Sequence, residues 1–325
     1  MAEIIPLHTK EENFNQCIKE ISELCKEDLH SINTLILDKL ESSVPLIHEI
    51  GKYLILSGGK RLRPLLTTSC YHILNNKPSD KLNHIGLAAA VEFIHAATLL
   101  HDDVVDLSKD RRGKLTANEV WGNKTSVLVG DFLFSRSFQL MTKYGTIETL
   151  KILSDTSVII SEGEVLEITN DKNLEMNEDT YFQVINGKTA SLFSAACQVG
   201  GLSAGARSNQ IQALKSFGTN FGMAFQLIDD AIDYFSNLKV MGKNVGDDFK
   251  EGKITLPIIL AYGRSNSKEK AFWKRSFQKP ITDKGNFDSA KELIIKYNCL
   301  EDTITRANHF AEVAIDALSV FSDNP

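Results

Sequence analysis

The chain has 325 residues, of which 42% are hydrophobic and 24% are charged, as in an ordinary soluble protein with a sizeable core. Its net charge of −6 argues against a nucleic-acid-binding protein, since such proteins present basic surfaces. The five cysteines are scattered without a CxxC pair, which indicates reduced thiols in a cytoplasmic protein. The polar start lacks a secretory signal, and no window holds the roughly 18 apolar residues of a membrane span. We therefore expect at most peripheral membrane contact.

Apolar residues recur at steps of three and four, as in Ile211, Leu214 and Phe217, which is the period of an amphipathic helix. No proline lies between Pro78 and Pro257, so long helices are permitted there. We predict an all-α fold, with a polar N-terminal segment at 1–20 and one domain at 21–325. The predicted helices cover 21–56 with a break near Val44, 64–74, 84–106, 117–145, 147–169, 179–199, 206–235, 268–277, 288–298 and 301–320, and another helix is predicted to open at Thr255-Leu256-Pro257.

The first chemical motif ends the apolar helix predicted at 84–106. Asp102, Asp103 and Asp106 stand at i, i+1 and i+4, so Asp102 and Asp106 share a helix face. Like charges this close repel each other, and a divalent cation such as Mg²⁺, which prefers oxygen ligands, offsets that repulsion. The alternative is a solvated acidic helix end.

The same DDxxD spacing returns far downstream at Asp229, Asp230 and Asp233, again on an apolar helix. Two buried aspartate trios that face one space favour a multi-metal phosphate site over two coincidences. Three sets of basic residues flank the trios, and arginine and lysine match phosphate oxygens. The sets are Lys60, Arg61 and Arg63 after Gly58-Gly59; Arg111 and Arg112; and Lys188, Lys243 and Lys253. Each set alone could be an ordinary charged surface, and His95 alone could be a core histidine.

Together these residues resemble the trans-isoprenyl diphosphate synthase family, and most closely its long-chain, octaprenyl-type members that make quinone side chains. The resemblance runs from about residue 25 to 320, with the motifs in the family's order. The segments that carry it are GGKRLRP (58–64), EFIHAATLLHDDVVD (92–106), RRG (111–113), KTASLF (188–193) and FQLIDDAID…GKNVGDDFKEGKITLP (225–257).

The resemblance implies antiparallel helices around a central cavity, the isoprenoid synthase fold, in a homodimer. It implies that Asp102, Asp103, Asp106, Asp229 and Asp233 hold Mg²⁺, three ions once substrate binds, and that Asp230 acts on the metals through water. An allylic diphosphate such as farnesyl diphosphate would contact Arg111, Lys188, Lys253 and nearby Lys243. Isopentenyl diphosphate would contact Lys60, Arg63, His95 and Arg112. Lys188, Thr189 and Gln226 would be catalytic, the last two by turning oxygen dipoles toward the allylic cation.

Product length is predicted to depend on the small residues one helical turn before the first trio. Ala97 and Thr98 leave a passage open there, and a growing chain would stop deeper, at Met141 or Leu153. The chain departs from the family at Glu167, where relatives usually carry glutamine; Glu167 would bind metal or pair with Lys188. It also ends at Pro325, where relatives usually continue with a further helix.

Three other functions stay open from the sequence. A short-chain synthase making farnesyl or geranylgeranyl diphosphate shares the motifs. A terpene cyclase also ionises allylic diphosphates but needs neither Gly58–Arg63 nor a second intact DDxxD. A non-catalytic subunit of a heteromeric synthase often loses a DDxxD, and both are intact here.

Overall fold

The computed structural model describes residues 7–74, 82–111, 113–234, 246–277 and 284–321, with side chains described from residue 16 and, in the last range, from 285. Its helices are α1 Leu7–Leu24, α2 Lys26–Lys39, α3 Pro45–Leu56, α4 Leu62–His72, α5 Asn83–Val105, α6 Ala117–Trp121, α7 Asn123–Tyr144, α8 Ile147–Thr169, α9 Glu178–Ile185, α10 Ser191–Ser203, α11 Ser208–Ile232, α12 Asp247–Glu251, α13 Leu256–Arg264, α14 Ser267–Phe277, α15 Lys284–Lys296 and α16 Cys299–Ala317. A π-helical turn spans Asn186–Ala190, a 3₁₀ turn spans Leu318–Val320, and a two-residue hairpin pairs β1 Asp110–Arg111 with β2 Lys114–Leu115. The all-α prediction is confirmed.

Helix α5 lies at the centre of the molecule. It packs against α2, α4, α7 and α10, and it is buried on every side over most of its length. A helix that is apolar all round must be covered all round, and that requirement places α5 among its neighbours. Its last turn, which carries the first aspartate trio, is thereby held at a fixed position in the core.

The same helix corrects one expectation about membranes. Asn83–Val105 is long and apolar enough to cross a bilayer by composition alone, with a mean hydropathy of 1.2. However, 78% of the apolar 18-residue window within this helix is buried inside the protein, where other helices already cover it. The expectation that no window would reach this length was therefore wrong, and packing explains the apolar run.

Other differences from the sequence prediction have local causes. The helix predicted at 117–145 is split into α6 and α7 at Gly122, whose φ of 83° lies in the left-handed region that glycine tolerates. The helix predicted at 179–199 contains the π turn, and the charged loop at 109–116 contains the hairpin. The predicted boundary at residue 20 falls inside α1. All five cysteines are unpaired, four of them buried.

Among the described residues, the core comprises two large apolar clusters and one small one. The first surrounds α5 with α2, α3, α7 and α8, and the second joins α9, α11 and α13 to the C-terminal helices. Residues of both clusters, including Leu54 and Ala96 from the first and Tyr181 and Ile254 from the second, line one large cavity. The cavity therefore lies between the two halves of the core.

Candidate active site

One cavity of about 1440 Å³ collects most of the residues that the sequence singles out. Its walls come from the end of α3, the start of α4, the end of α5, the hairpin, α8, the π turn, α11 and the segment around α12. The predicted site residues in its lining are Lys60, Arg63, His95, Thr98, Asp102, Asp106, Arg111, Lys188, Thr189, Gln226, Asp229, Asp230 and Lys253. Arg112 and Lys243 lie outside the described residues.

The two aspartate clusters face the same space. Asp102 and Asp106 line the cavity from α5, and Asp229 and Asp230 line it from α11. Lys253, which follows α12, reaches across and places its Nζ 2.9 Å from Oδ2 of Asp106. This ion pair joins residues 147 positions apart and ties the segment after the second cluster to the first cluster.

Asp103 does not line this cavity. Its side chain is buried and accepts a forked pair of hydrogen bonds from Arg111, with Nε at 3.0 Å and Nη2 at 2.6 Å from Oδ1. An arginine fork on a carboxylate fixes both position and plane. In this state Asp103 holds Arg111 and the start of the hairpin at the cavity edge.

Asp233 also lies outside the lining. Its carboxylate is 4% exposed and accepts the backbone N–H groups of Asp247, at 3.1 Å, and of Asp248, at 3.2 Å. These are donors at the start of α12 that lack partners within the helix. Asp233 thereby anchors α12, whose Asp247 and Asp248 do line the cavity.

Asp230 stands at the end of a hydrogen-bonded chain. Thr189 donates to Oε1 of Gln226 at 2.7 Å, Gln226 donates to Asp230 at 2.8 Å, and the Tyr181 hydroxyl donates to its other oxygen at 2.5 Å. Burial, followed by repulsion from Asp248, raises the pKa of Asp230 to about 8, although both hydrogen bonds oppose the rise. This chain sets the rotamer of Gln226, one of the predicted catalytic residues.

Lys188 projects from the π turn into a pair of glutamates. Its Nζ lies 2.5 Å from Glu167 and 3.1 Å from Glu164, both of which line the cavity. Burial alone would lower the pKa of Lys188, but the nearby carboxylates, Glu167 first among them, raise it. Burial raises the pKa of Glu164 to about 7. Glu167 thus pairs with Lys188, one of its two predicted roles.

Asp102, in the first trio, has a raised pKa. Burial raises its pKa to about 6, Lys188 opposes that rise, and Asp106 adds to it. Perturbed carboxylates in a cleft mark functional sites, because evolution rarely keeps such groups buried for stability alone. Binding of a cation would stabilise the ionised form of such a carboxylate.

A separate basic corner is built on the turn before α4. Gly58 and Gly59 adopt φ values of 97° and 147°, which L-residues with side chains rarely adopt. Arg61 then pairs with Glu92 and donates to the carbonyl oxygen of Ile55 at 2.7 Å. These contacts fix the turn at the N-terminus of α4.

Arg63 extends from this turn into the cavity over the ring of Phe193, at 4.3 Å from the centroid. Burial lowers its pKa to about 10. Its Nε is buried and has no hydrogen-bond partner among the described residues. A buried guanidinium with an unused donor fits an anionic ligand such as a diphosphate.

The predicted chain-length residues do not all meet the cavity. Thr98 and Leu99 are in its lining one helical turn before Asp102, and His95 is in it two turns before. Ala97, Met141 and Leu153 are buried in the first apolar cluster instead. The predicted path past those three residues stays a prediction.

Sequence reasoning missed several residues of the site. Asp248 lies within the quoted segment that ends at Pro257 but was not assigned a role, and Glu164 lies outside the quoted segments. Tyr181 carried no signal because an isolated tyrosine on a helix is usually packing. The spacing of Glu164 and Glu167, i and i+3 on α8, indicated a shared face. Only the fold shows that this face meets Lys188.

Comparison with known proteins agrees with this geometry. The polyprenyl synthetase family model matches residues 44–294. The chain is 41% identical to octaprenyl diphosphate synthase of Escherichia coli K12, over 95% of this chain and 94% of that protein. It is also similar to the crystal structure of a decaprenyl diphosphate synthase from Rhodobacter capsulatus, with a TM-score of 0.89, 46% identity, and coverage of 95% of this chain and 94% of that one.

A second solved structure, a polyprenyl synthase from Caulobacter crescentus CB15 complexed with calcium and isoprenyl diphosphate, matches with a TM-score of 0.89 and 44% identity. The match covers 94% of this chain and 93% of that one. The family match spans well over half of the chain, and the cavity carries the residues that its chemistry needs. The chain belongs to the polyprenyl synthetase family, whose members are prenyltransferases.

Proposed function

We propose that this protein condenses isopentenyl diphosphate with an allylic diphosphate, such as farnesyl diphosphate, into a long-chain all-trans polyprenyl diphosphate of about the octaprenyl length. The observation that carries the proposal is the meeting of two aspartate clusters and several cations in one cavity, joined by the ion pair of Lys253 with Asp106. The relatives named octaprenyl and decaprenyl diphosphate synthases support a long product.

The donor set fits Mg²⁺. Asp102, Asp106 and Asp229 line the cavity, and their carboxylates offer oxygen ligands. Mg²⁺ takes carboxylates together with substrate phosphates and water. Asp103 and Asp233 would join them after leaving Arg111 and the α12 backbone. Bound Mg²⁺, which we propose as three ions, would neutralise charge on the departing diphosphate.

The chain's own residues would do the rest. Arg111, Lys188 and Lys253 would hold the allylic diphosphate, and Arg63, Lys60 and His95, which line the same cavity, would hold isopentenyl diphosphate. Thr189 and Gln226 orient oxygen dipoles toward the developing allylic cation, which the surrounding apolar wall keeps from water. The double bond of isopentenyl diphosphate attacks, and the departing diphosphate accepts the released proton.

The test is incubation of the purified chain with farnesyl diphosphate, labelled isopentenyl diphosphate and Mg²⁺, followed by chromatography of the lipid products. We expect long labelled polyprenols after dephosphorylation. Asp102→Asn should lower the rate by at least about a hundredfold, because it removes a charge that acts in the transition state. Asp155→Asn, an exposed carboxylate on α8, is the matched control. Absence of labelled lipid would favour a non-catalytic subunit, and unlabelled cyclic hydrocarbon would favour a terpene cyclase.

Product length separates the long-chain from the short-chain proposal. Thr98→Phe should place a ring in the cavity one turn before Asp102 and shorten the product, since a turn of about 5.4 Å is close to one isoprene unit. Ala97→Phe, predicted from sequence to do the same, should shorten it only if the path runs behind the present lining. A farnesyl or geranylgeranyl product from the unaltered chain would contradict the long-chain proposal.

We also propose a homodimer with cytoplasmic location and at most peripheral membrane contact, in which the long product serves quinone side chains. Apolar side chains on α7 and α8 support self-association, since Leu128, Val158 and Val165 are 67%, 57% and 59% exposed. Exposed apolar side chains that form a contiguous patch mark interaction sites, and Val158 and Val165 share a face of α8 at a spacing of seven residues.

A further inference from the structure

Three side chains meet outside the cavity, at the far end of α5. Asp28 comes from α2, His72 from the last residue of α4, and His84 from the second residue of α5. The Nε2 atoms of His72 and His84 lie 2.6 Å and 3.2 Å from the same oxygen, Oδ2 of Asp28. His84 precedes Asp102 by eighteen residues, or about 27 Å along the helix, so this cluster is separate from the catalytic cavity.

The three ligand atoms have the spacing of a small metal site. They all lie within 4.8 Å of one another. Around a tetrahedral Zn²⁺ with bonds of about 2.0–2.1 Å, neighbouring ligand atoms are about 3.3 Å apart. Only small side-chain shifts separate the observed contacts from that arrangement.

Burial and packing give the cluster a rigid side and an open side. The His84 side chain is 5% exposed, and its ring stacks on Tyr71 with centroids 3.8 Å apart and planes 6° apart. The Asp28 side chain is 20% exposed and that of His72 is 44% exposed. One ligand is therefore fixed in the core, and the site opens to solvent beside His72, which leaves room for entry and for a water ligand.

The charge of the cluster suits a cation. Burial opposes ionisation of Asp28, but hydrogen bonds from His84 and His72 outweigh it and lower the pKa of this carboxyl. The ionised carboxylate of Asp28 therefore gives the cluster an anionic oxygen, and each imidazole offers a ring nitrogen. Two nitrogens and one oxygen are donors that Zn²⁺ and its neighbours in the first transition series accept, whereas Mg²⁺ prefers oxygen alone.

We propose that Asp28, His72 and His84 bind a divalent transition-metal ion of the Zn²⁺ class, with water completing the coordination, and that this ion ties α2 to α4 and α5. Binding through Nε2 places the proton of His84 on Nδ1, which is buried and has no partner among the described residues. That unpaired N–H weakens the site but costs less than three metal–ligand bonds contribute. The site would be structural, at the end of α4 and α5 opposite to the reaction.

The test is titration of the purified full-length chain with Co²⁺ and Zn²⁺ in excess Mg²⁺, which occupies the carboxylate-only sites of the cavity. We expect one equivalent of Co²⁺ with visible ligand-field absorption, displaced by Zn²⁺, and a rise in Tm. His72→Ala and Asp28→Asn should lower affinity at least tenfold, because each removes a ligand. His30→Ala, which replaces an exposed histidine on the helix that carries Asp28, is the matched control and should leave the affinity for Co²⁺ unchanged.

A second measurement uses the unaltered chain, so it does not require that any variant folds. In the NMR spectrum of the unaltered chain, Zn²⁺ should shift the ring signals of His72 and His84 and leave those of His30 and His309 in place. Shifts confined to His95 and His101 would assign the metal to the catalytic side. That outcome, absence of a stoichiometric site, or unchanged affinity in both ligand variants would overturn the proposal and leave a hydrogen-bonded triad only.

Discussion

At the scale of single residues, three of the described basic side chains that line the cavity already contact carboxylates. Arg111 holds Asp103, Lys188 holds Glu164 and Glu167, and Lys253 holds Asp106. Such partly buried pairs satisfy their charges before substrate binds, and breaking one leaves an uncompensated charge. A metal–diphosphate complex would satisfy both members of such an ion pair at once. The metal ion would bind the carboxylates, and the phosphate oxygens would bind the lysine and arginine side chains. We therefore expect metal and allylic substrate to bind cooperatively.

The first prediction concerns Glu167, which competes with diphosphate for Lys188. Glu167→Gln should lower KM for the allylic substrate about fivefold, because a partly exposed ion pair contributes about 1 kcal/mol. Steady-state kinetics with farnesyl diphosphate measures this. Glu162→Gln, an exposed glutamate on the same helix, should leave KM unchanged. A higher KM in Glu167→Gln would instead indicate that Glu167 binds metal.

The second prediction concerns pH. The pKa of Asp102 is raised to about 6 by burial, so a proton competes with Mg²⁺ for its oxygens more strongly than at an exposed aspartate. The Mg²⁺ concentration for half-maximal rate should rise about tenfold between about pH 7 and pH 5, since each pH unit below a pKa changes the ionised fraction about tenfold.

The raised pKa of Asp102 also makes the free energy of unfolding depend on pH. A raised carboxyl pKa means that the folded, metal-free chain binds this proton more tightly than the unfolded chain between about pH 4 and pH 6. Asp102 therefore contributes stability at low pH that is lost as pH rises through about 6. Asp102→Asn should reduce the pH dependence of the free energy of unfolding over this range, measured by urea titration of the metal-free chain, while the raised pKa values of Glu164 and Asp230 leave part of it in place. An unchanged slope would show that Asp102 is not the titrating group.

At the scale of elements, the π turn is what brings Lys188 and Thr189 into the cavity together. Gly163 on α8 and Gly187 in the turn pack backbone to backbone, so that a Cβ on Gly163 would stand 2.9 Å from both Gly187 Cα and Lys188 N. Real Cβ atoms do not come that close. The absence of two side chains thus sets the distance between α8 and the π turn, and with it the reach of Lys188.

The third prediction follows from that contact. Gly163→Ala should push the turn away and lower kcat/KM by about a hundredfold, because a displacement of about 1 Å at a catalytic group has that effect. Stability should also fall by about 1–3 kcal/mol from overpacking. Gly263→Ala in α13, where a Cβ meets nothing within 4 Å, should keep activity and stabilise by up to about 1 kcal/mol. Kinetics and chemical denaturation of both variants measure the difference.

At the scale of the whole molecule, the exposed apolar side chains of α7 and α8 support the proposed dimer. The fourth prediction is that the chain runs at twice 36.1 kDa in light scattering after size exclusion. Val158→Glu should shift it toward a monomer, since a buried unpaired charge opposes association. Ile315→Glu, on α16 and 69% exposed, is the matched control and should remain dimeric. A monomeric unaltered chain would contradict the dimer.

The sequence by itself determined the fold class, the positions of the long helices and the family. It did so because helix periodicity and the DDxxD spacing are local properties, readable wherever neighbours lie three and four residues apart. It also identified thirteen residues that line one cavity, from Lys60 to Lys253. The helix break at Gly122, the π turn and the hairpin were missed because each depends on a few backbone angles that many sequences tolerate.

Only the tertiary structure decided which acids face that cavity. Spacing fixes the angle between two side chains on a helix, but packing fixes the rotation of the whole helix about its axis. Asp102 and Asp106 therefore point inward while Asp103 grips Arg111, and Asp230 lines the cavity while Asp233 anchors α12. Partners far apart in sequence, such as Lys253 with Asp106 or Asp28 with His72 and His84, meet only because the folded core brings their helices together.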